Sequence, residues 1–226
     1  MSGRLSMPPS TGVNTMKFIL TLMMLTALTA CQSAYYAAWE KVGVEKRDIL
    51  VDRVEDAKGS QEDAQQQFSS ALEQFSKIIN FDGGELQDRY ESLKDQYEAS
   101  DRSAQEVSSR IEKVKSVGEA LFDEWEDELE KYSSETLRRN SANKLKDTQR
   151  LYNSLLKAMH KAESKMAPVL AALQDNVLYL KHNLNASAIG ALQSEFSTVK
   201  NDINQLISEM NKAIAQSTAF ISSMRS

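Results

Sequence analysis

The chain has one cysteine, three prolines and eight glycines in 226 residues. A single thiol allows no intrachain disulfide, so packing alone must hold the fold. Pro168 is the only proline beyond residue 9. Strands joined by many tight turns would need more proline and glycine than this. His160 and His182 are the only histidines, and no His-Glu-x-x-His occurs. Lys157 and Tyr179 stand where the Glu-x-x-His pattern of di-iron bundles needs glutamate. The phosphate loop, the nucleophile elbow and the dinucleotide fingerprint are missing too. No catalytic residue, metal site or cofactor is expected. The 27 basic side chains are outnumbered by 32 acidic ones, and an acidic balance counts against nucleic acid as a partner.

The lone cysteine, Cys31, is instead well placed for another chemistry. Met16 and Lys17 precede an apolar run from Phe18 to Leu28, which leads into Thr29, Ala30 and Cys31. A basic start, a short apolar stretch and small residues at its end make an export signal. This run of 11 residues falls well short of the roughly 20 that span a bilayer. Leu28-Thr29-Ala30-Cys31 resembles the lipobox of bacterial lipoproteins. That resemblance implies cleavage before Cys31 and acylation of its sulfur and new amino group, with membrane lipid as the first partner. Several acyl chains, at about 0.8 kcal/mol per buried CH₂, hold a protein on a membrane. Gln32 then favours the outer membrane, facing the periplasm. Residues 1–15 fit no part of a signal and read as an extension ahead of Met16. Residues 1–30 are therefore set aside, and residues 31–226 are expected to form one domain. Arg4 and Lys17 leave with the signal, so the remainder carries a formal charge of −7.

An apolar residue recurs every three and four positions through nearly all of that remainder. The first series runs Leu50, Val54, Ala57, Gln61, Ala64, Phe68, Ala71, Phe75, Ile78. It stops at Asn80, Phe81, Asp82, Gly83 and Gly84, a turn by composition. A second series extends from Leu86 through Ile111 and Gly118 to Trp125 and Tyr132. Ser133 and Ser134 follow, with Ser134 placed to cap the next helix at Leu137. The third series runs from Leu145 through Tyr152 and Met166 to Leu180 and closes at Asn183-Leu184-Asn185. The fourth runs from Ile189 to Phe220. A seven-residue period is that of helices supercoiling around one another, and short turns force successive helices to be antiparallel. The expected fold is all-α: an elongated antiparallel four-helix bundle or coiled coil. Pro168 should kink the third helix or start a new one.

Position along such a bundle assigns candidate roles. Tyr35, Tyr36 and Trp39 lie within eight residues of Cys31; they suit a headgroup layer or the opening of the core. The first turn and the third turn fall at the far end. There Phe81, Asp82, Gly83 and Gly84, with His182, Asn183 and Asn185, form a candidate partner-binding tip; the competing reading, favoured for Phe81, is that it folds down to cap the bundle end. Six carboxylates crowd residues 123–130. They lack the spacing and glycine of a calcium loop and read as a solvated helix face. Across the Ser133 turn, Arg138, Arg139 and Lys144 are expected to pair with Glu128, Asp127 and Asp123.

Several stretches resemble one family closely. They are 31–36, Cys-Gln-Ser-Ala-Tyr-Tyr; 40–57, from Glu-Lys-Val-Gly to Val-Glu-Asp-Ala; and 80–84, Asn-Phe-Asp-Gly-Gly. To these add 119–129 around Trp125 and 177–186 around His182. The family is the proteobacterial lipoprotein group catalogued as domain of unknown function 2959. The resemblance covers essentially all of 31–226 and implies an exported lipoprotein; it brings no activity. The expected role is a lipid-anchored periplasmic spacer or adaptor, acting through helix-bundle contacts with another envelope protein and compatible with homo-oligomers. The alternative is a periplasmic sensor or carrier holding a small ligand in the bundle core near Gly118 and Pro168.

Overall fold

The computed structural model describes residues 45–80 and 86–225. The expected export signal, Cys31, Tyr35, Tyr36, Trp39 and the Phe81–Gly84 part of the candidate tip lie outside the described residues. By contacts the chain divides into two compact units, residues 1–46 and 47–226. The helices below make up the second.

Four α-helices account for almost all described residues, and no strand occurs among them. They are α1 (Lys46–Ile79), α2 (Leu86–Leu129), α3 (Glu135–His182) and α4 (Ala186–Arg225). At 1.5 Å per residue the longest, α3 with 48 residues, extends about 70 Å. Helices this long are stable because one stripe of each is buried. The first apolar series is buried in full, from Leu50 to Ile78, and so is the third, from Leu145 to Leu180. Large buried side chains such as Phe68, Phe75, Leu155 and Phe220 each contribute roughly 1.5–3 kcal/mol.

Each helix touches two neighbours, and the pairing numbers run in opposite directions, as antiparallel packing requires. Gln67 Nε2 on α1 donates to Gln96 Oε1 on α2 at 2.9 Å, and Arg110 on α2 meets Asp56 on α1 at 3.1 Å. Tyr152 on α3 donates to the carbonyl of Lys115 on α2 at 3.2 Å. Lys161 on α3 pairs with Glu209 on α4 at 3.0 Å. The ring closes where Gln65 on α1 donates to Asn211 on α4 at 3.1 Å and Phe75 meets Phe196 edge-on at 5.5 Å. This is an antiparallel four-helix bundle.

The helix ends follow their capping residues. Ser134 accepts from the Leu137 amide at 3.4 Å and starts α3 as its sequence position predicts. Asn185 Oδ1 accepts from the Ser187 and Ala188 amides at 3.0 and 3.2 Å and starts α4. Three expectations are corrected. Of the two readings of Pro168, the start of a new helix is excluded: α3 is continuous through it. Its ring faces solvent, where the carbonyl it leaves without an amide donor can bind water. Tyr132 is not a core residue: α2 stops at Leu129 and Tyr132 is 42% exposed. The charge zipper across the Ser133 turn does not form among the described residues. Arg138 turns to Glu135 on its own helix at 2.9 Å, and Arg139 leans the same way. A partner one helical turn away is nearer than one across a turn. The cross-turn contacts are neutral or mixed instead: Trp125 Nε1 donates to Ser141 Oγ at 2.8 Å and Gln149 donates to Glu126 at 3.0 Å.

Candidate interaction site at the α3–α4 turn

The end of α1 and the α3–α4 turn lie together. Gln193 on α4 donates to the carbonyl of Ile79 at 2.9 Å, one turn from the Phe75–Phe196 contact. The described part of the candidate tip is therefore His182, Asn183 and Asn185 with their surroundings. The two asparagines serve the backbone. Asn183 Nδ2 donates to the carbonyl of Tyr179 at 2.9 Å, and its amide reaches Leu180 at 3.0 Å. Asn185 is the α4 cap. His182 is exposed in the last turn of α3, beside Lys181, where cationic groups suit the helix dipole.

The groups left for a partner are apolar ones. Leu178 is 51% exposed, Tyr179 41% and Leu184 40%. Tyr179 borders an open groove of about 410 Å³ between α3 and α4, together with Asn176, Leu192 and Val199. Asp175 and Glu195 stand at its edge. Asn176 Nδ2 is occupied by the carbonyl of Ala172 at 2.6 Å. The groove thus offers apolar and aromatic surface flanked by two carboxylates. Such a surface accommodates an apolar side chain with a cationic neighbour.

Leu178, Tyr179 and the groove were not singled out from the sequence. The signal was present, since Leu178 and Tyr179 fall between the buried positions Val177 and Leu180 and are too large and apolar for a solvated stripe. The other histidine has a local role: His160 Nδ1 lies 2.9 Å from Glu163 on the same helix. Among the described residues no three histidine, cysteine or acidic side chains converge as metal ligands. None of the described helices is long and apolar enough to cross a membrane.

The fold defines a class: an antiparallel four-helix bundle, here with an open groove between α3 and α4. Within that class the chain belongs to the family described as "Protein of unknown function (DUF2959)", whose model matches residues 35–224. Comparison with curated proteins and with solved structures gave no match.

Proposed function

We propose that the protein is a lipid-anchored adaptor or spacer of the cell envelope. Cys31 would hold it to the outer membrane on the periplasmic side, and the α3–α4 end of its bundle would engage another envelope protein. The reading is carried by the exposed apolar side chains at that end, Leu178, Tyr179 and Leu184, of which Tyr179 lines a groove that also holds Asp175 and Glu195. Bundle ends in water are ordinarily polar, and large apolar side chains grouped on a surface mark interaction sites. The sequence Leu28-Thr29-Ala30-Cys31 supports the anchoring. The partner surface complementary to the groove presents an apolar residue next to lysine or arginine.

A photo-crosslinking residue at Leu184, in intact cells, tests the contact. The expected result is a discrete adduct that is lost when Tyr179→Glu is added, with none from a control at Asp63 on α1. Equal labelling from both positions, or none from Leu184, would overturn it. Fractionation tests the anchor separately. Cys31→Ala should release the protein from the membrane fraction.

A further inference from the structure

The net negative charge is divided unevenly between helices. On the outer face of α2, Glu119, Asp123 and Asp127 are exposed, and exposed Glu130 follows just past the helix end. On the outer face of α3, Arg139, Lys146, Arg150 and Lys157 are exposed in the same way. These residues recur at three, four and seven positions, so each set forms a ridge along its helix. The contacts of Tyr152 with Lys115 and of Trp125 with Ser141 set Arg139 and Lys146 level with the acidic ridge, while Arg150 and Lys157 run on past Glu119. The two ridges do not neutralise each other. Arg150 pairs with Asp147 and Arg139 leans to Glu135, both on α3. Glu119, Asp123, Asp127, Glu130, Lys146 and Lys157 enter no ion pair among the described residues. The ridges point outward, away from the α2–α3 contact.

We propose that this face is the contact between two copies of the chain. A patch with a negative half and a positive half, side by side, is complementary to itself under a two-fold rotation. With the axis parallel to the helices, α2 of one copy lies against α3 of the other, and both acid–base contacts form at once. Both copies then point the same way, as two molecules standing on one surface must. The face carries little apolar area, so the association is reversible and governed by charge. Acidic partners of other kinds would use only the basic ridge, and an anionic membrane likewise. Self-association is the arrangement that uses both ridges. This inference does not rest on the function proposed above.

The test uses the chain from residue 31 onward carrying Cys31→Ser, so that neither acyl chain nor thiol contributes. Two charge-reversed forms are compared by sedimentation: Asp123→Lys with Asp127→Lys, and Arg139→Glu with Lys146→Glu. The unreversed chain should dimerise at low salt and dissociate when the Debye length falls to about 3 Å at 1 M salt. Each reversed form alone should be monomeric at concentrations where the unreversed chain is dimeric. An equimolar mixture should recover the dimer, because reversal on both sides restores both contacts. A monomeric unreversed chain at low salt, a mixture that stays monomeric, or a reversed form that dimerises unaided would each overturn the proposal. So would binding to anionic vesicles that is lost on base reversal, with no dimer in solution.

Discussion

Tyr152 occupies the space that a side chain on Gly118 would need. A Cβ at position 118 would collide with the phenol ring and its oxygen. The ring is held by Phe122, edge-on at 5.0 Å, by Phe220 at 6.2 Å, and by its hydroxyl donating to the carbonyls of Val114 and Lys115. Burial, then the nearby carboxylates of Glu119 and Glu112, pushes the phenol well above its ordinary pKa, so it stays a neutral donor. Gly118→Ala should therefore destabilise the bundle by about 1–3 kcal/mol, the usual cost of overpacking. Tyr152→Ala removes the obstacle. The double variant should lose less than the two single losses added, and a double-mutant cycle by denaturant unfolding measures the difference.

Gln61 is the one buried side chain whose polar atoms meet no partner in the described protein, for both its amide oxygen and nitrogen. The other buried polar residues bond within their own helices. Ser100, Thr148 and Ser217 donate to carbonyls four residues back, at 2.7, 2.8 and 2.9 Å. Leaving such groups unpaired costs about 1–3 kcal/mol. Gln61→Leu keeps the volume and removes the polar atoms. It should raise the melting temperature by several degrees, at about 2–4 °C per kcal/mol for a domain of this size. A fall in melting temperature would show that the amide is satisfied by something other than the protein.

Much of this was legible in the chain. The seven-residue period placed the buried stripes of α1 and α3 residue by residue, Gln61 and Tyr152 included, because burial along a helix follows from spacing alone. Ser134 was readable as a cap because capping is local. What failed depends on neighbours. Arg138 was assigned across the turn, but Glu135 on its own helix is nearer. Tyr132 continued the α2 period on paper, yet lies past the end of the helix. Gly118 and Tyr152 were each placed on a seam, but their fit depends on the stagger of α2 against α3, which neither helix encodes alone. Leu178 and Tyr179 are legible as exposed from their places between buried Val177 and Leu180, but the groove that Tyr179 lines depends on how α4 lies beside α3.

Pro168 offers a direct gain in stability. It sits on the exposed side of a continuous helix and removes one amide from the ladder. A proline inside a helix costs roughly 3 kcal/mol against alanine. Part of that is already relieved here, because the carbonyl of Ser164 faces the same solvent-exposed stripe. Pro168→Ala should then stabilise the bundle by about 1–2 kcal/mol, read as a raised denaturant midpoint at unchanged slope. No gain would mean that the local geometry set by the proline is needed for the packing of Met166 and Val169, which are both buried.

Glu209 should make the bundle sensitive to acid. It lies between two lysines: Lys212 Nζ at 2.8 Å on its own helix, and Lys161 Nζ at 3.0 Å on α3. The hydrogen bond from Lys212, then that from Lys161, holds its carboxyl below the ordinary value of 4.5. A carboxyl with a lowered pKa in the folded chain stabilises the fold fully above its unfolded-state value. That contribution disappears as pH falls through the lowered one. Glu209→Gln keeps the shape and part of the hydrogen bonding but not the charge. The native chain should melt higher than the variant near pH 7, and the gap should close below 4.5. High salt should narrow it at neutral pH, since the pair to Lys161 is partly open to solvent. The same comparison for Glu135, exposed and paired within α3 to Arg138, should show a smaller gap, because that pair joins no second helix. A gap at Glu209 that persists unchanged at about pH 3 would mean that its packing, not its charge, joins α3 to α4.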